Sequence, residues 1–207
     1  MTASLPSPKH YPGVQRFPGR TIELYMRRHF LSVEECAALI ERIDAVRRPS
    51  TIADSNGDDA FRTSETCDLL DDDPAIAALD RRLADFIGIE PAHGAPLQGQ
   101  RYAVGQEFKS HTDYFEPTGV DYDRYCGLSG NRTWTLMAYL NEPEAGGATR
   151  FPKFGKSFQP ETGKLICWNN RGADGTLNPD TLHHGMKVRA GTKYVITKWY
   201  REQPWVG

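Results

Sequence analysis

From Leu97 onward the chain is divided into short apolar stretches separated by glycine, proline and asparagine, and this pattern constrains the fold most. Such spacing is typical of an all-β sandwich or barrel, because each strand is only a few residues long and a turn follows it at once. The second half of the chain is therefore expected to be a β core. Strands are predicted near residues 97–104, 133–140, 147–151, 163–168, 182–189 and 193–200.

Two amphipathic helices are predicted in the first half of the chain. Ser32 and Glu35 form a capping-box pattern, and apolar residues at helical spacing follow them. Asp73, followed directly by a proline, marks the start of a second helix, which Gly88 is expected to end. These helices are expected to support the β core from outside, which gives a mainly β fold with added helices.

A chain of 207 residues is long enough for one domain. Residues 1–20 carry prolines and glycines with little periodicity, so they are expected to form a loose arm. Residues 21–207 are then expected to be a single domain, with the β core at about 97–201.

Charge and composition exclude several classes of function. The 25 basic residues nearly balance the 27 acidic ones, so neither nucleic acid nor an anionic membrane is expected as a partner. The sequence shows neither a transmembrane-length apolar run nor the apolar core of an export signal, which predicts a cytoplasmic protein. The cysteines are widely spaced and are expected to be buried, reduced thiols: Cys36, Cys67, Cys126 and Cys167.

His111 and Asp113 are the first candidates for chemistry. In an extended backbone, residues two apart point to the same side, so the imidazole and the carboxylate can reach one ion. A second histidine from elsewhere in the chain would complete a set of two imidazoles and one carboxylate. That set suits non-haem Fe(II) and oxygen chemistry.

Four segments together resemble the prolyl 4-hydroxylase-type Fe(II)/2-oxoglutarate dioxygenases: LQGQRYAVGQEFKSHTDYF, RTWTLMAYLN, GGATRFP and LHHGMKVRAGTKYVITKW. They span roughly residues 97–201. The resemblance implies a double-stranded β-helix (jelly-roll) core. It also implies Fe(II), 2-oxoglutarate and O₂ as cofactor and co-substrates, with ascorbate among the compounds used. The implied reaction hydroxylates a peptidyl residue, most simply proline at C4, and releases succinate and CO₂.

The same resemblance assigns roles to individual residues. It makes His111, Asp113 and either His183 or His184 the iron ligands, which are also the catalytic residues. It makes Lys193 the cation that binds the distal carboxylate of 2-oxoglutarate. The hydroxyl groups expected to help hold that carboxylate belong to Tyr102 and Thr149.

The choice between the adjacent histidines depends on an assumed hairpin between strands 182–188 and 192–200. A two-residue loop would place His184 on the Lys193 side, whereas a three-residue loop would place His183 there. Three-residue loops end in a residue with positive φ, for which Gly191 is suited. The family's distal histidine also precedes its lysine by ten residues, as His183 does here. The sequence therefore favours His183.

Alternation along the last strand assigns one face to the interior. Lys193, Val195, Thr197 and Trp199 share that face. A lysine inside a β core is costly unless an anion meets it, so Lys193 is expected to bind one. Lys198 lies on the other face and is expected to be solvated.

The substrate is less strongly specified than the iron chemistry. Arg132 aligns with a peptide-contacting arginine of the family, and Trp199 is either a core residue or part of the substrate entrance. Residues 50–61 and 114–131 are polar stretches expected to form lids over the site. A proline-containing peptide or protein is the expected substrate. A free amino acid or other small molecule is the alternative, and a non-catalytic jelly-roll binding module is a third reading.

Three positions depart from the family pattern. Phe108 stands where a tyrosine is usual, and Arg201 stands where a histidine is often found. The GGAT sequence lacks the glutamate of the commoner GGET. These changes leave the iron chemistry untouched, but two of them lie along the expected peptide groove.

Overall fold

Two antiparallel sheets and two long helices make up the framework of this computed structural model, which describes Pro8 and residues 11–19, 21–50 and 61–206. The α-helices are α1 (Val33–Val46), α2 (Pro74–Ile87) and α3 (Tyr122–Cys126), and single 3₁₀ turns occur at Pro91–His93 and Pro179–Thr181. The first strands are β1 (Gln15–Arg16), β2 (Leu24–Arg27), β3 (Arg48–Pro49), β4 (Glu65–Leu69), β5 (Leu97–Tyr102), β6 (Phe108–His111) and β7 (Arg132–Tyr139). The remaining strands are β8 (Ala145–Gly146), β9 (Thr149–Phe151), β10 (Lys156–Phe158), β11 (Leu165–Asn169), β12 (His183–Gly185), β13 (Val188–Ala190) and β14 (Lys193–Arg201).

The larger sheet has the order β1-β2-β11-β7-β14-β5-β4-β3, and the smaller sheet has the order β10-β9-β12-β6. Strands β8 and β13 form a separate pair. Residues from both sheets meet in one apolar core between them, and a second core lies between the larger sheet and the helices. This is the predicted mainly β jelly-roll with helices packed on its outer side.

Strand β14 shows how the sequence separates these two cores. Val195 packs between the sheets, whereas Tyr194 and Ile196 pack on the helix side, as period-two alternation predicts. The prediction that Lys198 is solvated is wrong: it is 3% exposed and forms an ion pair with Asp80 of α2. A charge buried in this way needs a partner, and α2 supplies it.

The two predicted helix starts are confirmed. Ser32 caps α1 and Glu35 bonds back to the Ser32 amide, which completes the capping box. Asp73 Oδ1 accepts a hydrogen bond from the second residue of α2, and that helix ends at Gly88 with φ 73°. Helix α1 lies close against β5 because Gly99 has no side chain: a Cβ there would lie 2.5 Å from Ile43 Cγ1.

The described part of the expected loose arm, residues 11–19, is packed against the domain. Strand β1 pairs with β2, and the Tyr11 ring centroid lies 4.9 Å from that of Phe86. Phe17 similarly contacts Phe158, with the ring centroids 5.0 Å apart. The division into an arm and a domain stays a prediction. Of the expected lid at 50–61, residues 51–60 lie outside the described ranges.

Two sequence predictions about strands are wrong. The predicted strand 182–189 is two strands, because β12 joins the smaller sheet and β13 pairs with β8. The assumed hairpin with the last strand therefore does not form: β14 lies in the larger sheet, between β7 and β5. Strands β1 to β4, β6, β8 and β10 were also missed, since they are two to five residues long and carry little alternation.

All four cysteines are buried and free of disulfides, which confirms the predicted thiols. Burial raises the pKa of the Cys36 thiol to about 11, so it stays protonated near neutral pH. Within the described ranges, every helix is too short or too polar to cross a membrane.

Candidate active site

His111, Asp113 and His183 meet between the two sheets. Strands β6 and β12 are antiparallel neighbours, and His183 stands directly opposite His111 in their register. His111 Nε2 lies 3.8 Å from Asp113 Oδ1, and His183 Nε2 lies 3.9 Å from Asp113 Oδ2. One possible ligand atom from each residue falls within 4.8 Å of the other two. Three side chains from distant parts of the sequence therefore converge on one point.

Each imidazole is held in the tautomer that a metal ligand needs. His111 Nδ1 lies 2.7 Å from the Lys109 carbonyl oxygen, and His183 Nδ1 lies 3.0 Å from the Thr181 carbonyl oxygen. A carbonyl oxygen only accepts hydrogen bonds, so both Nδ1 atoms carry the proton and both Nε2 lone pairs are free. The Phe108 ring stacks on His111 at 3.5 Å between centroids and fixes its plane.

Electrostatics keep these groups in their ligand forms. Burial, together with the neighbouring His183 ring, lowers the pKa of His111 to about 3, so the imidazole is neutral. Burial alone would raise the pKa of the Asp113 carboxyl, but His183 and His111 face it and hold the pKa below its usual value. Thr135 adds a hydrogen bond of 2.7 Å to Asp113 Oδ2.

His184 points away from this group. It lies opposite Arg150 of β9, and its Nε2 lies 3.0 Å from Glu107 Oε2. The structure therefore brings His183, the residue that the sequence favoured, to Asp113. The reason differs from the predicted one, because β12 places His183 beside β6 rather than in a hairpin with β14.

Lys193 lies in a small pocket that also reaches the histidine and aspartate side chains. It is 2% exposed, and its Nζ lies 5.0 Å and 5.5 Å from the ring centroids of Tyr102 and Tyr139. Gly147, with φ 75°, makes room for it, since a Cβ there would lie 3.1 Å from Lys193 Cδ. Among the described residues, no carboxylate forms an ion pair with Lys193, and burial lowers its pKa to about 7.

Hydroxyl and amide groups line the walls around this lysine. The Tyr102 hydroxyl donates to Gln100 Oε1 at 3.3 Å, and the Tyr139 hydroxyl donates to Thr149 Oγ1 at 2.7 Å. Gln100 in turn donates to Thr197 Oγ1 at 3.2 Å. The sequence assigned roles to Tyr102 and Thr149 and placed Thr197 on the interior face, but it gave no role at this site to Tyr139 or Gln100. Alternation along β5, β7 and β14 was the available signal, because each of these residues occupies an inward-facing position.

These residues fit Fe(II) and a dicarboxylate. Two neutral imidazoles and one ionised carboxylate form the donor set that suits non-haem iron, with further positions left for other ligands. The buried ammonium of Lys193, without a described carboxylate beside it, needs an anion to offset its desolvation. His111, Asp113 and His183 are thus the residues that would hold the metal, and Lys193 is the residue that would hold the far carboxylate.

A cavity of about 700 Å³ borders on His111 and Asp113. Arg132 lies on its wall, with its guanidinium 4.0 Å from the Trp199 ring centroid and its Nη1 donating to the Asp113 carbonyl oxygen at 3.1 Å. Both predicted substrate residues therefore face this cavity. The aromatic residues along its walls are Phe61, Phe108, Tyr114, Phe115, Tyr122, Tyr125 and Trp199.

Arg62 is a further cavity residue, and the sequence reasoning gave it no role. Its Nε donates to Ser64 Oγ at 3.1 Å and its Nη2 donates to Gln98 Oε1 at 3.0 Å. The guanidinium lies 5.0 Å from the Phe108 ring centroid. The RTS sequence at 62–64 was the signal that could have drawn attention to it.

Comparisons with known proteins agree with this geometry. The family model of the 2OG-Fe(II) oxygenase superfamily matches residues 97–201, which is about half of the chain. Probable prolyl 4-hydroxylase 3 of Arabidopsis thaliana is 34% identical over 200 residues, covering 84% of this chain and 68% of that protein. Prolyl 4-hydroxylase subunit alpha-1 of Rattus norvegicus is 33% identical over 132 residues, covering 64% of this chain and 24% of the subunit.

The chain thus spans about two thirds of the plant relatives and about a quarter of the animal alpha subunits that it matches. Among solved structures, the viral collagen prolyl hydroxylase of Paramecium Bursaria Chlorella virus-1, as its 2OG complex, superposes with a TM-score of 0.67. It is 26% identical, and the match covers 86% of this chain and 94% of that one. Fe(II), 2-oxoglutarate and O₂ are the cofactor and co-substrates of the superfamily. The chain belongs to the 2OG-Fe(II) oxygenase superfamily, among its prolyl 4-hydroxylase-type members.

Proposed function

We propose that this enzyme hydroxylates peptidyl proline at C4, with conversion of 2-oxoglutarate and O₂ to succinate and CO₂. The observation that carries the proposal is the aromatic-walled cavity that leads directly to His111 and Asp113. The names of the plant and animal relatives, which are prolyl 4-hydroxylases, support the same reaction.

The size of the cavity favours a peptide over a free amino acid. Its volume of about 700 Å³ lies within the range of pockets that enclose drug-sized ligands, far larger than one amino acid. Aromatic walls are also the usual binding surface for proline-rich segments, because a polyproline II helix is already extended before binding and stacks its rings well. Tyr122, Tyr125, Phe108 and Trp199 supply such walls.

Arg132 is the residue best placed to hold the peptide backbone. Burial lowers its pKa to about 10, which still leaves it charged at neutral pH. Its guanidinium carbon lies 4.0 Å from the Trp199 ring centroid. A planar guanidinium on the cavity wall is suited to donate to a peptide carbonyl bound there.

Bound Fe(II), with 2-oxoglutarate and O₂, supplies the oxidising chemistry that inserts one oxygen atom into a C–H bond. The chain itself would hold the co-substrate and limit the access of water. Lys193 fixes the far carboxylate of the co-substrate, and the hydroxyl and amide groups around it orient that end. The aromatic side chains on the cavity wall would limit the access of water to the reacting C–H bond.

The test measures succinate formed from 2-oxoglutarate with Fe(II) under air, with and without a short proline-rich peptide. A matched peptide with alanine in place of proline is the control. The proposal predicts that only the proline peptide increases the rate of succinate formation and that this peptide gains one oxygen atom. Chromatography against 4-hydroxyproline after hydrolysis then identifies the modified carbon.

Two outcomes would contradict the proposal in different ways. Stimulation by free proline but not by the peptide would indicate a small-molecule hydroxylase. Absence of any 2-oxoglutarate turnover, with Fe(II) bound, would indicate a binding module. The Asp113→Ala variant provides the background rate for both measurements.

We propose in addition that ascorbate sustains turnover and that the protein acts in the cytoplasm. The four free thiols support a reducing compartment. Faster loss of activity when ascorbate is omitted checks the first statement, and fractionation of cells that express the protein checks the second.

A further inference from the structure

Arg201, the last residue of β14, is buried without a described carboxylate partner. Arg201 is only 3% exposed. Its Nη1 donates to the carbonyl oxygens of Tyr125 at 2.6 Å and Gly130 at 2.7 Å. The guanidinium also lies 4.9 Å from the Trp205 ring centroid. Tyr125 lies near the end of α3, where helix carbonyl groups lack partners within the helix. Arg201 Nη1 therefore supplies a donor to two backbone carbonyl groups of this segment.

The segment that Arg201 holds, residues 114–131, forms one wall of the substrate cavity. The Tyr125 ring stacks on Phe115 at 5.1 Å between centroids with an interplanar angle of 12°. Phe115 in turn lies 5.0 Å from the guanidinium of Arg132. A continuous set of contacts thus runs from Arg201, through the wall of the cavity, to the residue proposed to bind the peptide backbone.

The base of the 114–131 segment is fixed separately. Asn131 Oδ1 accepts from the Phe115 amide at 3.0 Å, and Asn131 Nδ2 donates to the Phe115 carbonyl at 2.8 Å, which ties the two ends together. Up to Gly127 the backbone hydrogen bonds of the segment are local, such as those from Gly119 to Glu116 and from Tyr125 to Asp121, whereas the Ser129 carbonyl accepts from the Gln203 amide at 3.0 Å. Arg201 thus joins the α3 part of the segment to the larger sheet through the Tyr125 carbonyl, while Ser129 is held from beyond the end of β14.

We infer that Arg201 is a positioning residue for the peptide: it holds the 114–131 segment over the cavity so that the Tyr122 and Tyr125 wall faces Arg132 and Trp199. This inference rests on the proposed function for the identity of the ligand. A planar guanidinium is suited to the task, because its N–H groups are fixed in direction and one nitrogen can serve two acceptors. An imidazole at this position has only one N–H on each side of a short ring and could not make both bonds from one atom.

Hydrogen–deuterium exchange of the 114–131 segment is the direct test, on wild type, Arg201→Lys and Arg201→Met. Lys198→Met is the matched control, since Lys198 lies on the same strand, is equally buried, and faces the helices instead. We expect the Arg201 variants to speed exchange at the Tyr125 and Gly127 amides by roughly tenfold, because the segment opens locally. The control is expected to leave exchange at these amides unchanged.

Steady-state kinetics then separate positioning from general stability. The Arg201 variants are expected to raise KM for the proline peptide by roughly tenfold, with a smaller fall in kcat and an unchanged KM for 2-oxoglutarate. Arg201→Lys keeps the charge and guards against a failure of Arg201→Met to fold. Unchanged exchange in the segment, or an equal rise of both KM values, would overturn the inference.

The two proposals fail in distinguishable ways. If wild type acts on no peptide, the proposed function is wrong, and the exchange measurement alone then decides whether Arg201 holds the segment. If wild type hydroxylates the peptide but the Arg201 variants match it in exchange and peptide KM, only the role of Arg201 is wrong.

Discussion

Each face of β14 buries a lysine, and the two lysines differ in whether a described carboxylate lies beside them. Lys198, on the helix side, forms an ion pair with Asp80 and packs against Gly94, where a Cβ would lie 2.4 Å from Lys198 Cε. Lys193, on the side between the sheets, has aromatic rings and hydroxyl groups around it but no described carboxylate partner. The same residue type thus lies in two different electrostatic settings on one strand.

The difference separates a structural charge from a binding one. A buried cation that brings its own counter-ion completes a packed interior, and its surroundings leave no reason to expect a ligand. A buried cation without one destabilises the free protein and gains most when an anion arrives. The face that carries Lys193 is also the face that meets His111, Asp113 and His183, so metal and anion sites share one side of the sheet.

The largest difference in turnover is expected between substitutions of the two aspartates, Asp113 near Lys193 and Asp80 beside Lys198. Asp113→Ala removes one of the three residues that would hold iron and should lower turnover by more than about 100-fold, since even outer partners of metal ligands cost 10–100-fold. Asp80→Asn should leave turnover near wild type. Iron-dependent succinate formation measures both, and circular dichroism checks that each variant is folded. Substantial turnover in Asp113→Ala would remove Asp113 from the site.

The adjacent histidines sharpen the same contrast within β12. His183→Ala should weaken Mn(II) binding by at least about tenfold, because the ring next to Asp113 is lost. His184→Ala should leave it unchanged, because that ring faces Glu107. Calorimetric titration with Mn(II) measures both affinities. Equal losses in the two variants would show that the site is not confined to one side of the strand.

The lysines are expected to move stability in opposite directions. Lys193→Met should raise the free energy of unfolding of the ligand-free protein by roughly 2 kcal/mol, since it removes a buried charge whose pKa is lowered to about 7. Lys198→Met leaves Asp80 without its partner and should lower the free energy of unfolding by a similar amount.

These changes correspond to shifts in Tm of about 4–8 °C in opposite directions. The loss of folding stability caused by Lys193 is fully present below pH 7. It disappears as pH rises towards the ordinary pKa of lysine, because over that range this lysine is protonated in the unfolded chain but neutral in the folded one. Thermal unfolding at pH 6.5 measures both variants. A fall in Tm for Lys193→Met would contradict the account.

A smaller effect concerns pH. Burial lowers the pKa of Lys193 to about 7, so above that pH the amine must take up a proton before it can bind a carboxylate. The dissociation constant of 2-oxoglutarate should therefore rise between pH 7 and 9, by at most about tenfold per pH unit. Lys193→Arg should show little dependence over the same range. Equal wild-type affinities at pH 6.5 and 8.5 would contradict this titration.

The sequence specified the inner face better than the outer one. His111 and Asp113 could be paired from local spacing alone, and alternation placed Lys193 and Trp199 inward. Lys198 was misjudged because its partner Asp80 lies on a helix far away in the sequence, and no local pattern reveals such a contact.

Sheet membership was the other limit. His183 was favoured both by the ten-residue spacing to Lys193 and by a hairpin, and the hairpin does not exist, because β12 pairs with β6 and β9 rather than β14. Short strands of two to five residues gain their stability from partners across the sheet, so their own sequences carry weak signals. The surroundings of Lys193 were only partly predictable for the same reason, since the Tyr139 ring, 5.5 Å from Lys193 Nζ, comes from β7 rather than from the lysine's own strand.

The most direct test of the central claim is calorimetric titration of 2-oxoglutarate into the Mn(II)-loaded protein, for wild type, Lys193→Met and Lys198→Met. The account predicts one site per chain in wild type, an equal affinity in Lys198→Met, and an affinity at least about tenfold weaker in Lys193→Met. Wild-type affinity in Lys193→Met would contradict it, because the unpaired lysine between the sheets would then not be the group that receives the anion.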